Sequence, residues 1–159
     1  MRSLVGSTPS LFRQDPVAMR ERFRGAIPDD LLYDTAHDMW VRRAGDEVVI
    51  GATSFGIHLA GEIIGFTAKP RGAVVERGRG LGTVECAKTV LALHAPVGFA
   101  LAEGNEALEE RPALLNRDPY AAWMARGRPL DWASDRAQLV DAAAYRAHVR
   151  RVEPEAEFT

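Results

Sequence analysis

The chain has 159 residues, of which 47% are hydrophobic and 26% are charged, and its formal net charge is −2. This composition supplies one ordinary hydrophobic core, so we expect one domain with extensions, and the near-neutral charge argues against a nucleic-acid partner because it provides no general attraction for phosphates. The single cysteine excludes an intrachain disulfide and a metal site built on two cysteines, as is typical of proteins in a reducing compartment.

Residues 1–27 are predicted to form an N-terminal arm. They contain five arginines and two acidic residues, a net charge of +3. Asp15 can cap a short helix that begins at Pro16 and ends at Gly25, and a frayed arm fits the same composition equally well. The arm has no continuous apolar core of the signal-peptide kind, and no run in the chain approaches the roughly 18 apolar residues that span a bilayer. We therefore expect a cytoplasmic protein without a membrane partner.

Residues 28–132 have the pattern of a mainly β domain. Short runs rich in β-branched and apolar residues alternate with turn sequences such as Gly45-Asp46 and Glu103-Gly104-Asn105. Such a series of short strands favours a small β-barrel or sandwich. The predicted strands are Trp40–Arg43, Glu47–Thr53, Glu62–Ala68, Gly82–Ala87, Thr89–Ala95 and Phe99–Ala102, and two helical turns, Phe55–Gly61 and Pro112–Asn116, interrupt them.

Residues 133–159 change in composition again and are predicted to form a helical C-terminal extension. Ser134 or Asp135 can cap a first short helix, and Asp141 can cap a second that ends before Pro154. The apolar positions of the second helix recur at helical spacing. They are Ala144, Tyr145, His148, Val149 and Val152.

The segment Gly82–Gly98 has the sequence of a β-hairpin with Ala87 and Lys88 close to its tip. Val84 and Val90 favour strands, and glycine and proline residues mark both ends of the segment. A lysine at such a tip is exposed to solvent. Taken alone, it contributes only to solubility.

This lysine lies within the string Glu85-Cys86-Ala87-Lys88-Thr89-Val90, which indicates a more specific role. It matches a Glu-Ser-x-Lys-x-Val string, and further strings match the same family in order and spacing between about Leu31 and Trp123. They are Tyr33–Arg42, Ala95–Gly98, Asn105–Glu109 and Pro112–Tyr120. The chain therefore resembles the glycine cleavage system H protein family, which carries lipoic acid on the lysine of that string. The resemblance implies a small lipoyl/biotinyl-type barrel-sandwich hybrid.

The resemblance also implies that the chain is a non-catalytic carrier with lipoic acid joined to Lys88 by an amide bond. On a hairpin tip the lipoyl group acts as a swinging arm that shuttles a bound intermediate between partner enzymes, and a lipoate ligase or lipoyl-assembly enzymes attach it. The family string fixes Glu85 as a second site residue. An acidic margin near the hairpin is a candidate for steering partners, although each member is as simply explained as solvated surface. Its members are Glu103, Glu106, Glu109 and Glu110.

Cys86 is a possible thiol near this site. It lies two positions before Lys88, so in extended geometry both side chains point to the same side of the strand. The thiol is a candidate for exchange with the lipoyl dithiol or with a partner, and a small packing residue is the simpler interpretation.

The four histidines are predicted to be structural. His37 belongs to a matched string and is predicted to orient a loop, whereas His58, His94 and His148 are predicted to pack or to lie on the surface. No pair has the spacing of a metal site, so no metal is expected.

Three departures from the family pattern affect the predicted role. Lys69 and Arg71 replace an acidic centre that follows the crossing turn, Ala121–Trp123 replaces a Gly-x-Gly-Trp loop, and the chain continues where the family usually ends. The segment His58–Lys69 resembles instead the H-like lipoate-binding proteins of sulfur-oxidising, heterodisulfide-reductase-like systems. Positive charge beside the hairpin and a helical tail predict a different docking surface.

The predicted function is therefore a lipoyl carrier of a sulfur intermediate that works with a heterodisulfide-reductase-like complex. The alternative is an H protein of the glycine cleavage system, which carries the aminomethyl group and works with glycine decarboxylase, aminomethyltransferase and dihydrolipoamide dehydrogenase. A second alternative is an unlipoylated interaction or lipoate-delivery module. Biotin carriage is disfavoured because the Ala-Met-Lys-Met signature of biotinyl domains is absent around Lys88.

Overall fold

The structure, a computed structural model, describes residues 21–159. The strands are β1 (Arg24–Gly25), β2 (Leu32–Asp34), β3 (Met39–Ala44), β4 (Glu47–Ala52), β5 (Ile63–Ala68), β6 (Val74–Val75), β7 (Gly80–Cys86), β8 (Val90–His94), β9 (Phe99–Gly104), β10 (Ala125–Pro129) and β11 (Glu157–Phe158). The helices are α1 (Ser54–Ala60), α2 (Glu106–Glu110), α3 (Leu114–Arg117), α4 (Trp132–Arg136) and α5 (Ala142–Val152). The predicted mainly β fold is confirmed.

The strands form two antiparallel sheets and one short parallel pair. The larger sheet has the order β2-β3-β4-β10-β9-β6, and the smaller sheet has the order β5-β7-β8. β1 pairs in parallel with β11, which joins the two ends of the described chain. None of the helices within residues 21–159 is long and apolar enough to cross a membrane.

One hydrophobic core lies between these layers, and Trp40 on β3 is its largest fully buried side chain. The indole packs against Gly51 of β4, where an added Cβ would lie only 2.5 Å from the ring. Its Nε1 donates a hydrogen bond of 3.1 Å to the carbonyl oxygen of Pro119, so the buried N–H is satisfied. This contact ties the larger sheet to the loop that follows α3.

The six predicted strands are present with shifts of one or two residues at their ends. Strands β2, β6 and β10 and helix α2 were not predicted as separate elements. The predicted turn at Phe55–Gly61 is a seven-residue helix, α1, because Thr53 caps it by accepting a hydrogen bond of 3.0 Å from the Gly56 N–H.

The C-terminal helices differ in one detail from the prediction. α4 is capped by Asp131 and not by Ser134 or Asp135, and Asp135 instead accepts a hydrogen bond of 2.8 Å from the Gly98 N–H. The cap predicted for α5 is confirmed, because Asp141 accepts a hydrogen bond of 2.9 Å from the Ala144 N–H.

The predicted N-terminal helix is wrong for its last residues. Arg24 and Gly25 are extended because Glu157 and Thr159 each donate a backbone hydrogen bond of 3.0 Å, to the carbonyl oxygens of Phe23 and Gly25. The earlier part of that prediction, up to residue 20, lies outside the described residues.

Helix α5 packs into the main core through Tyr145, which is fully buried. The Tyr145 hydroxyl donates a hydrogen bond of 2.8 Å to Asp38 and lies 2.7 Å from the hydroxyl of Thr53. Burial, and after it the negative charge of Asp38, raises the pKa of Tyr145 well above its ordinary value, so the phenol stays a neutral donor. Its ring stacks on Tyr33 with the centroids 4.7 Å apart. The helix is thereby bonded to both the β2–β3 loop and the start of α1.

The core cluster draws on all three predicted segments, through Phe23, the strands of 28–132 and Tyr145. The division of the chain at residues 27/28 and 132/133 stays a prediction. A continuous core nevertheless means that residues 133–159 contribute to the stability of the β layers.

We predict that Tyr145→Phe lowers the free energy of unfolding by about 1–3 kcal/mol, because the buried carboxylate of Asp38 loses a hydrogen-bond donor. Urea-induced unfolding followed by circular dichroism measures this change. Arg151→Ala, an exposed position on the same helix, is the matched control and should change the free energy by less than about 0.5 kcal/mol. Equal unfolding midpoints for Tyr145→Phe and the wild type would contradict a stabilising role for this network.

Candidate functional site

Lys88 lies at the tip of the hairpin formed by β7 and β8, as predicted. Glu85 and Val90 are the last paired residues, and the Cys86 N–H donates a hydrogen bond of 2.8 Å to the carbonyl oxygen of Thr89. Ala87 and Lys88 therefore form the turn. Because a hydrogen-bonded pair closes the hairpin directly before this turn, the backbone of Lys88 is held close to a fixed ladder.

The side chain of Lys88 is exposed, and within residues 21–159 its ammonium group makes no hydrogen bond or ion pair. An acyl group on Nζ would therefore neutralise a cation without leaving a described carboxylate unpaired. The position fits a covalently attached group that must reach away from the protein.

The inner face of β7 anchors the hairpin. Val84 is fully buried and Cys86 is 4% exposed, whereas Glu85 between them is exposed. The expectation that Cys86 and Lys88 share one side is wrong, because the alternation of the strand ends at the turn and the thiol enters the core. The Cys86 side chain is therefore buried in this structure, whereas the Lys88 side chain is exposed.

Glu85 lies on the outer face of the smaller sheet, opposite Gly65 of β5. Its side chain passes over that glycine. A Cβ added to Gly65 would lie 3.1 Å from Oε1 and 3.2 Å from Cβ of Glu85. Because Gly65 has no side chain, the Glu85 side chain can lie directly over it.

The predicted acidic margin is not at the hairpin tip. Glu103, Glu106 and Glu109 line a cleft of about 390 Å³ that also includes Ala68, the last residue of β5. Ala68 pairs with Gly82, four residues before Cys86, so the cleft begins about 13 Å along β7 from Cys86, the residue directly before the turn. Glu110 is exposed and is not among the residues that line the cleft. Only Glu85 among the predicted acids lies next to the hairpin turn.

Lys69 and Arg71 also line this cleft and so do not lie beside Lys88 as expected. The Arg71 Nε donates a hydrogen bond of 2.9 Å to the carbonyl oxygen of Ala102. Glu109 accepts a hydrogen bond of 2.9 Å from the Ala68 N–H at the same edge. The two cations thus share this cleft with three acidic residues.

The histidines have structural contacts, as predicted. The His37 Nδ1 lies 3.1 Å from an Asp34 carboxylate oxygen, and the His37 ring stacks on His94 with the centroids 4.6 Å apart. His58 and His148 lie 3.7 Å from Glu153 and 3.9 Å from Asp38, respectively. In residues 21–159 there is no cluster of three or more metal-ligating side chains.

The matched string Pro112–Tyr120 is hydrogen-bonded to the start of β5, the strand that pairs with β7. Asn116 accepts a hydrogen bond of 2.9 Å from the Ile63 N–H and donates one of 2.8 Å to the carbonyl oxygen of Gly61. These bonds fix the start of β5, the strand that carries Gly65. The asparagine therefore acts through β5 and does not touch the hairpin tip itself.

Sequence reasoning missed Ile64 and Gly65 on β5. Ile64 lies at a bulge between the paired residues Ile63 and Gly65, and its side chain is 51% exposed. Their place beside Glu85 depends on how β5 pairs with β7. A glycine inside a strand is the only local signal, because it suggests a bulge or a close approach.

Comparisons with known proteins give a consistent result. The family described as Glycine cleavage H-protein matches residues 31–152, which includes α5, so the expectation that the family ends near Trp123 is wrong. A glycine cleavage system H protein of Bacteroides thetaiotaomicron is 38% identical over 124 residues, which cover 77% of this chain and 97% of that protein. A glycine cleavage system H protein of Thermus thermophilus is 37% identical over 120 residues, with 75% and 92% covered.

A solved structure agrees with these sequence matches. The crystal structure of a glycine cleavage system H protein from Mycobacterium marinum superposes with a TM-score of 0.70 at 30% identity. The superposition covers 77% of this chain and 98% of that chain.

We predict that Cys86 reacts slowly with iodoacetamide in the native protein, because a buried thiol is shielded from the reagent. Mass spectrometry over time should show labelling at least about tenfold slower than in guanidinium chloride, since reaction requires local opening. Labelling at the rate of the unfolded chain would show an accessible thiol and would restore the exchange role.

Proposed function

The chain belongs to the glycine cleavage H-protein family, and from this premise we propose that Lys88 is the lysine that bears its lipoic acid. Members of the family are non-catalytic carriers within a multienzyme system, with lipoic acid attached covalently to a lysine. The single observation that carries the assignment to Lys88 is its exposed place at the tip of the β7–β8 hairpin.

Only one other lysine competes for this role. The sequence contains two lysines, Lys69 and Lys88. Lys69 follows β5 and lines the cleft that also contains Glu103, Glu106 and Glu109. Lys88 is exposed on a turn and matches the lysine of the family string. Both lysines are exposed, so the place on the hairpin turn and the match to the family string favour Lys88.

Attachment of lipoate requires one reaction of this chain, the transfer of an acyl group to the Nζ atom of Lys88. The ammonium of Lys88 gives up a proton, and the amine attacks the carbonyl carbon of an activated lipoyl donor such as an acyl adenylate. The amide bond forms, the bond from carbon to the leaving group breaks with its electron pair, and the nitrogen loses a second proton. When bound, the lipoyl group supplies a dithiolane that accepts a group by opening its disulfide. The β7–β8 ladder holds the attachment point.

We further propose that the carried group is the aminomethyl group of glycine cleavage. Relatives from two bacterial genera and a solved structure are named as glycine cleavage system H proteins, and the chain spans nearly their whole length. The partners would then be glycine decarboxylase, aminomethyltransferase and dihydrolipoamide dehydrogenase.

The sulfur-carrier hypothesis has weaker support. It rested on positive charge beside the hairpin, and Lys69 and Arg71 lie instead in the acidic cleft. The family match also includes the C-terminal helix on which the hypothesis relied. What remains is the replacement of a Gly-x-Gly-Trp loop by Ala121–Trp123 and the likeness of His58–Lys69 to the sulfur-associated proteins.

We predict that Lys88→Arg abolishes lipoylation, because arginine keeps the charge but lacks a titratable amine. Intact-mass analysis after co-expression with a lipoate ligase should show one lipoyl adduct on the wild type. Lys69→Arg is the matched control and should keep the adduct. An adduct that persists in Lys88→Arg and disappears in Lys69→Arg would move the site to the cleft, and no adduct on any protein would support the unlipoylated module.

We predict that the lipoylated protein supports release of labelled CO₂ from carboxyl-labelled glycine by glycine decarboxylase. The rate should lie within about tenfold of that with the Thermus thermophilus H protein, which corresponds to a small difference in binding free energy. Lys88→Arg should give only the background rate. A fully lipoylated protein that gives background release would contradict the aminomethyl role and favour the sulfur carrier.

A further inference from the structure

The two sheets of the structure have four edge strands, β2 and β6 in the larger sheet and β5 and β8 in the smaller one. An edge strand leaves one row of backbone N–H and C=O groups without a neighbouring strand, and another chain can pair with that row. In the larger sheet the row is closed on β2, because Tyr33 exchanges backbone hydrogen bonds of 2.8 and 2.9 Å with Val140. At the opposite edge β6 has only two residues, too few to serve as a template.

The two edges of the smaller sheet differ. The first and last residues of β5 donate their backbone N–H groups to the side chains of Asn116 and Glu109, each over 2.9 Å. Within residues 21–159 no strand covers the outer edge of β8. The segment Thr89–His94 also contains no lysine, arginine, carboxylate or proline, which are the residues by which natural edge strands avoid pairing. β8 is therefore an open edge.

The hairpin ladder identifies the backbone groups that β8 leaves open. The Cys86 N–H donates to the Thr89 carbonyl oxygen, and from this pair onward hydrogen-bonded and non-hydrogen-bonded pairs alternate along the hairpin. Val90 and Ala92 belong to non-hydrogen-bonded pairs, so their N–H and C=O groups point away from β7. Both residues are exposed, and the Val90 carbonyl oxygen receives only a contact of 3.5 Å from the Thr89 hydroxyl.

We propose that two copies of this chain pair in antiparallel fashion through β8, with a two-fold axis at Leu91. The smaller sheets, of three strands each, then join into one continuous sheet. Val90 of each copy lies against Ala92 of the other copy, and each of these pairs exchanges two backbone hydrogen bonds. The contact uses the edge of the sheet and does not depend on the attachment of lipoate.

The spacing of the open residues identifies a second copy as the occupant. Val90 and Ala92 are separated by one residue, so an antiparallel copy places each of them against the other and satisfies both pairs at once. The exposed side chain of Val90 then packs beside the small side chain of Ala92, and the paired segment brings no like charges together. Every group that this contact requires is present on the described strand itself.

The pairing leaves both hairpin turns accessible. With the axis at Leu91, Lys88 lies opposite His94 of the second copy, six positions along the strand from the Lys88 of that copy. A strand rises about 3.4 Å per residue, so the two lysines lie about 20 Å apart, at opposite ends of the paired strands. Each dimer would therefore present two separate attachment points.

The contact is small, which sets the conditions of the test. Four backbone hydrogen bonds and two Val90–Ala92 contacts cover far less than the roughly 1,600 Å² of a standard protein interface. We therefore expect a weak dimer with a dissociation constant of about 0.1–1 mM.

The first experiment measures amide hydrogen exchange of the full chain by NMR, in dilute solution and at about 1 mM protein. The open amides of Val90 and Ala92 should exchange about two- to fivefold more slowly at the high concentration, in proportion to the fraction of dimer. The amides of β6, an edge strand of the other sheet, are the internal control and should exchange at the same rate in both samples.

The second experiment compares Ala92→Lys with Val74→Lys by sedimentation equilibrium. At position 92 the introduced ammonium lies diagonally beside Lys88 of the second copy, so the dissociation constant should rise at least about tenfold. Val74 is 67% exposed on β6, and the same substitution there should leave the constant unchanged. Thermal unfolding of both variants at the wild-type temperature establishes that the sheets are intact. If Ala92→Lys unfolds early, the exchange measurement on the wild type carries the test.

Three outcomes would overturn the pairing. The first is a wild type that stays monomeric at about 1 mM with unchanged exchange at Val90 and Ala92. The second is self-association that Ala92→Lys and Val74→Lys alter equally, because the contact then lies elsewhere. The third is protection of Val90 and Ala92 only after a purified lipoate ligase is added, which would assign the edge to a strand of that enzyme. Loss of the lipoyl adduct, by contrast, contradicts only the proposed function.

Discussion

The site depends on strand β7, which has one buried face and one exposed face. Val84 and Cys86 are buried on its inner face, and Glu85 is exposed on its outer face. An isolated two-stranded hairpin is marginally stable in water, so the exposed turn at Lys88 is held only because the inner face is in the core and β5 adds a third strand. β5 is fixed in turn by Asn116. The reactive end of the molecule can therefore be exposed and still be ordered.

The two cations predicted to lie beside the hairpin are found away from its turn. Lys69 and Arg71 share a cleft with Glu103, Glu106 and Glu109 at the far end of the β5–β7 ladder, whereas Glu85 lies next to the turn that carries Lys88. The lipoate attachment proposed for Lys88 would remove its positive charge, so an enzyme that attaches lipoate and an enzyme that uses it would meet surfaces of different charge.

The C-terminal helix α5 is bound to the β layers by polar as well as apolar contacts. Tyr145 connects Asp38 and Thr53 in the core, and β11 closes the chain onto β1. Matched family members cover this helix too, since the family match extends to residue 152. A docking role that depended on a separate tail consequently loses its structural basis.

Much of the architecture was determined by the sequence itself. Turn residues and β-branched runs predicted the β strands, Asp141 predicted the cap of α5, and the string around Lys88 predicted the hairpin and its exposed lysine, because each of these depends on neighbours along the chain. Tertiary structure alone decided the burial of Cys86, the place of Lys69 in the acidic cleft and the contact of Glu85 with Gly65. These depend on strand register, where one residue of shift or one bulge moves a side chain to the other face, and register is set by packing between distant segments.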